Sequence, residues 1–107
     1  MTFVPLEKLH RLTEGYRQAF EIGQQRLLLM HCEGRSLLVE NACPHAGYPL
    51  VQGSVENEVI RCPLHGIAFN LRDGQPLPEF SHACSRALRF YPLVCEGSMI
   101  GVLLEKT

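Results

Sequence analysis

Two cysteine–histidine pairs, Cys43-Pro44-His45 and Cys62-Pro63-Leu64-His65, lie in the middle of a 107-residue chain, with sixteen residues (46–61) between them. Each pair sets a thiol and an imidazole close together on a loop stiffened by proline. A short hairpin between the loops can bring both pairs to one point. Two thiolates and two imidazoles can hold either one tetrahedral Zn²⁺ or a two-iron cluster. A zinc finger groups its cysteines in one pair and its histidines in the other, whereas here each pair is mixed.

The rest of the chain reads as strands around these loops. Its apolar runs are short and separated by turn residues, which favours an all-β domain. Tyr16 to Ile22, Leu27 to Met30 and Ser36 to Val39 read as successive strands, joined at Gly23-Gln24-Gln25 and Cys32-Glu33-Gly34-Arg35. Leu88 to Val94 and Met99 to Leu104 form a further pair about the turn Cys95-Glu96-Gly97-Ser98, with Pro92 marking an edge or a bulge. Val59-Ile60-Arg61 is a short strand leading directly into the second loop. Leu6 to Leu12 carries the one helical hint, short enough to be a single turn. The length allows one domain, residues 1–107, and the hydrophobic fraction of 46% allows it a core. The expected fold is an antiparallel β-sandwich or partly open barrel, with residues 42–71 as a small metal-binding lobe.

Charge and cysteine usage narrow the setting. Ten Lys+Arg against eleven Asp+Glu leave a net charge of −1, which offers no electrostatic reason to expect nucleic acid or an anionic membrane as partner. No apolar run approaches the ~20 residues that span a bilayer. Met1 to Glu7 lacks a basic region followed by an apolar stretch, so no secretory signal is expected. Five cysteines is an odd number, unlike a secreted disulfide scaffold. The expected setting is a reducing cytoplasm.

The ligand loops and their neighbours resemble the Rieske iron–sulfur family, whose motif is C-x-H, a spacer of this length, then C-x-x-H. Cys43-Pro44-His45-Ala46-Gly47-Tyr48-Pro49-Leu50 and Gly53 are similar to the family's first cluster loop. Cys62-Pro63-Leu64-His65-Gly66-Ile67-Ala68-Phe69-Asn70 is similar to the second, and Arg72-Asp73-Gly74 to the turn after it. The resemblance implies one [2Fe–2S] cluster, with Cys43 and Cys62 on the inner iron and His45 and His65 on the outer one. Neutral imidazoles in place of two thiolates leave the cluster less negative, so it accepts an electron more readily.

The family's high-potential respiratory members carry an extra cysteine in each loop, paired as a disulfide. Tyr48 and Leu64 stand at those positions here. Those members also place a serine after the second loop's glycine and a tyrosine two residues later, whose hydroxyls stabilise the reduced cluster. Ile67 and Phe69 stand there and cannot donate. The pattern looks like the soluble Rieske-type ferredoxins of bacterial oxygenase systems. These take electrons from an NAD(P)H-dependent flavoprotein reductase and pass them singly to a terminal oxygenase. The chain would then be a cytoplasmic, monomeric carrier and not an enzyme. It has no G-x-G-x-x-G nucleotide loop and no room for a mononuclear iron domain. Two alternatives stay open: a small Rieske-type subunit of another redox enzyme, such as an assimilatory nitrite reductase, and a non-redox, metal-stabilised interaction module.

Several residues receive plainer readings. Cys32, Cys84 and Cys95 are expected to be buried or half-buried thiols, and His10, His31 and His82 surface or hydrogen-bonded histidines. Gly47 and Gly66 are expected to let the backbone approach sulfur closely. Tyr48 and Leu64 are expected to cover the cluster, and the Pro76–Pro78 segment to pack over it. Without hydroxyl donors at Ile67 and Phe69, the midpoint potential should fall at the low end of the Rieske range, roughly −150 mV rather than +300 mV. A redox titration with a clearly positive midpoint would refute this.

Overall fold

Tight turns with left-handed backbone set the strand pairing. A computed structural model describes residues 1–105. Its strands are β1 (Thr2–Lys8), β2 (Arg17–Ile22), β3 (Gln25–Cys32), β4 (Arg35–Glu40), β5 (Ser54–Glu56), β6 (Val59–Arg61), β7 (Ala68–Asn70), β8 (Phe90–Tyr91), β9 (Leu93–Glu96) and β10 (Met99–Leu104). The β3–β4 connection puts Glu33 and Gly34 at positive φ, and the β5–β6 connection does the same with Asn57 and Glu58. Two-residue turns of this hand match the twist of the strands they join.

All ladders between strands are antiparallel. They build three sheets with strand orders β2-β3-β4-β8, β1-β10-β9 and β5-β6-β7. The domain is all-β with no closed barrel, as expected. Three short 3-10 turns are its helical elements among the described residues, and no helix is long and apolar enough to cross a membrane.

The continuous run Leu27-Leu28-Leu29-Met30 has a physical reason. Side chains alternate across a strand, so Leu27 and Leu29 join Leu38, Ile100 and Val102 in one apolar cluster. Leu28 and Met30 join Val39, Leu50, Ile60 and Phe69 in the other. β3 is therefore buried on both faces. One face packs on the β1-β10-β9 sheet and the other on the lobe that carries the two Cys/His loops. Polar ties trim the lobe's position. Asn41, a buried polar residue, accepts the Val51 N–H through Oδ1 at 3.0 Å. Arg17 donates to the carbonyls of Val51 and Gly53.

One sequence expectation is met in its shorter form and another changes. The Leu6–Leu12 hint is a single turn: β1 runs to Lys8 and a 3-10 turn covers Leu9–Arg11. The ladder of β1 shifts register between Pro5 and Glu7, which disturbs the period-two pattern. The expected strand from Leu88 to Val94 is two strands. β8 closes the edge of one sheet against β4, and after Pro92 the chain crosses to pair with β10 as β9. Proline cannot donate to a ladder, so the switch of sheet falls at it.

Tyr16 ties the entry of β2 to β1, donating its hydroxyl to Glu7 Oε2 at 2.8 Å. Burial, and then the Glu7 carboxylate, push the Tyr16 phenol up to about 12 from 10.0. The folded state thus favours the neutral phenol. This contribution is complete below pH ~10 and is lost as pH rises through 12. Tyr16→Phe should lower stability by about 1 kcal/mol at neutral pH. Denaturant melts should show the difference from the parent closing above pH ~12.

Candidate metal centre

Both Cys/His loops are built on the same turn. In the first, Cys43 N–H donates to the Tyr48 carbonyl (2.8 Å) and Gly47 N–H donates to the Cys43 carbonyl (2.7 Å). In the second, Cys62 N–H donates to the Ile67 carbonyl (2.9 Å) and Gly66 N–H to the Cys62 carbonyl (3.0 Å). The shared frame is C-P-x-x-G, with the glycine four residues after the cysteine in each loop. The histidine sits at the third position of one frame and the fourth of the other. That single-residue offset accompanies two rings that approach each other nearly at right angles, 5.4 Å between centroids and 82° between planes.

The glycines make the turns possible. Gly47 and Gly66 have φ of +74° and +72°, and a Cβ at Gly47 would meet nothing within 4 Å. At Gly66 the nearest atom is Arg61 Nη1, at 4.0 Å. The left-handed turn by itself calls for glycine at both positions. The nearby backbone amides of His45 and Ala46 favour the ionised form of the Cys43 thiol.

The four donors divide by environment. Cys43 and Cys62 are 2% and 1% exposed and lie in the same apolar cluster. His45 and His65 are exposed. Burial pushes the Cys43 thiol up, the neighbouring Cys62 thiol adds to this, and the His45 and Ala46 amides oppose it. A metal bound there must displace the proton, so binding and deprotonation are coupled. Among the described residues, no three His, Cys, Asp or Glu side chains are grouped to hold one metal ion. A buried thiol pair beside an exposed imidazole pair fits a two-iron group better than a single tetrahedral zinc, which needs all four donors about 2.0–2.3 Å from one point.

The surroundings are apolar. Ile67 and Phe69 are buried. Tyr48 and Leu64 are 38% and 48% exposed, on the two loops that carry the histidines. The segment after β7 returns along it, with Phe69 bridged to Pro76 and Leu77 N–H donating to the Ala68 carbonyl at 2.9 Å. Pro78 begins a 3-10 turn that ends at Phe80. Phe80, which the sequence reading passed over, packs against the apolar cluster that contains both cysteines.

Of the spare thiols, Cys84 is buried in that cluster and Cys32 is half-buried. Cys95 is exposed, against expectation, because it lies on the edge strand β9. His31 bonds Ser36 Oγ through Nδ1 at 2.9 Å, and His10 and His82 are exposed.

Comparison with known proteins shows the family. The sequence model of the Rieske [2Fe-2S] domain matches residues 2–89. The ferredoxin component of the alkene monooxygenase system of Xanthobacter autotrophicus is 31% identical over 90 residues, which are 83% of this chain and 70% of that protein. The solved ferredoxin of carbazole 1,9a-dioxygenase from Nocardioides aromaticivorans IC177 superposes with a TM-score of 0.78 at 29% identity, covering 98% of this chain and all of that one. Apoptosis-inducing factor 3 of mouse and human is 36% identical over 63 residues, 59% of this chain, which spans only about a tenth of those proteins.

Since a left-handed conformation costs an L-residue roughly 1–2 kcal/mol, Gly47→Ala and Gly66→Ala should each lower stability by about that amount. Urea melts would check this, and an unchanged midpoint for both would show that the turns tolerate a side chain.

Proposed function

The chain belongs to the Rieske [2Fe–2S] family, and we propose that it is a one-electron carrier whose cluster is held by Cys43, His45, Cys62 and His65. Its cofactor is a Rieske [2Fe–2S] cluster, which supplies a one-electron couple when bound. The observation that carries the assignment is the split of the four donors into a buried thiol pair and an exposed imidazole pair. Cys43 and Cys62 take one iron and keep it in the apolar core. His45 and His65 take the other and bring their ring edges to the surface, where a docked partner's centre can approach.

The ordered parts have distinct tasks. The His45 and Ala46 amides favour the thiolate form of Cys43 needed for ligation. Ile67 and Phe69 exclude water without offering a donor. We read residues 1–107 as a single Rieske domain with its cluster lobe at 42–71. Its relatives of similar length are ferredoxin components of oxygenase systems. The same role assigns this chain an NAD(P)H-dependent flavoprotein reductase as donor and a terminal oxygenase as acceptor, as a cytoplasmic monomer.

Anaerobically purified protein should be red-brown, with two irons and two sulfides per chain. It should take up one electron from NADH only when an oxygenase-type flavoprotein reductase is present. A colourless protein with one bound zinc would overturn the reading. His65→Cys should retain some cluster and lower its potential by on the order of 100 mV, since a thiolate adds negative charge. An unmoved potential in that variant would exclude His65 as a ligand.

A further inference from the structure

Neither ligand loop contains a charged residue: Cys43 to Leu50 and Cys62 to Asn70 are free of Asp, Glu, Lys and Arg. Arg61 adjoins the second loop as the last residue of β6. Its backbone is fixed on two sides, paired with Ser54 of β5 and Ala68 of β7. Gly53 lies so close that a Cβ there would sit 2.3 Å from the Arg61 carbonyl oxygen. From this fixed base the side chain turns towards the loop. Nη1 donates to the Gly66 carbonyl at 2.5 Å, one residue beyond His65. The guanidinium also lies over the Phe80 ring, 5.8 Å from its centroid. Among the described residues Arg61 makes no ion pair.

We propose that Arg61 is a positioning residue for the cluster: its guanidinium clamps the Cys62–Gly66 loop to Phe80 and holds one fixed positive charge beside the imidazole ligands. The two roles follow from different properties of the side chain. The clamp needs a planar fork that donates to a carbonyl while its face rests on a ring, which lysine cannot reproduce. The charge needs only a cation. It favours the reduced cluster, which carries one more electron, and salt screens it because the group is exposed. The inference rests on the ligand assignment above.

Three variants separate these roles. Arg61→Gln should shift the midpoint potential negative, more at low than at high ionic strength. Arg61→Lys should keep the parent potential. Phe80→Leu should also keep the potential. All three should release iron to a chelator several-fold faster than the parent, and amide hydrogen exchange across 62–67 should speed up. An Arg61→Gln potential equal to the parent's at low salt would overturn the charge role, as would an Arg61→Lys potential that falls as far. Parent-like iron release and exchange in the three variants would overturn the clamp. If Arg61→Gln fails to load a cluster, Arg61→Lys and Phe80→Leu decide the clamp by the same two readouts. A parent protein without iron would refute the ligand assignment instead, and hydrogen exchange would still judge the clamp.

Discussion

Strand β3 is buried on both faces, and that two-sided burial determines where the thiols lie. Leu27 and Leu29 hold the outer sheet, while Leu28 and Met30 hold the lobe through Leu50, Ile60 and Phe69. Each of these side chains contributes roughly 1.5–3 kcal/mol when fully removed from water. The ion pair between Arg72 and Glu58 is largely exposed on its arginine side, and such pairs are worth ~0–1 kcal/mol. Apolar burial therefore places the lobe on β3, and polar ties adjust it. Because Cys43 and Cys62 belong to the same apolar cluster as Leu28 and Met30, the interior donors are anchored to the centre of the fold.

The exterior donors depend on the turn frame. Two copies of C-P-x-x-G give two loops with matching backbone hydrogen bonds. Moving the histidine by one position within an otherwise repeated frame accompanies rings that meet edge to face. Equal spacings would have placed both rings at the same point of each frame. The mixed pairing that argued against a zinc finger thus has a geometric counterpart in the folded chain. The thiols are buried in the core and the imidazoles lie at the surface.

Much of this was readable beforehand, for identifiable reasons. The ligand spacing, the Glu33-Gly34 hairpin and the β6 strand are local patterns, and local patterns survive folding. Where the reading failed, a tertiary fact intervened. Leu6, Leu9 and His10 fall at helical spacing; pairing of β1 with β10 draws Leu6 into a strand and leaves only the single turn at Leu9–Arg11. Pro92 marks an interruption in the sequence itself, although the sheet exchange it allows depends on β4 and β10, distant in sequence. Cys95 is exposed because its strand lies at an edge, and strand order is not written in any short segment. Arg61 and Phe80 meet only after the chain folds back beyond β7.

The central claim is that two nitrogens and two sulfurs divide between two irons. Pulsed electron paramagnetic resonance of the dithionite-reduced protein tests it most directly. Two strongly coupled histidine nitrogens are expected, with one coupling lost in His45→Cys. A reduced two-iron signal without nitrogen coupling would contradict the account, because it would leave both histidines outside the cluster.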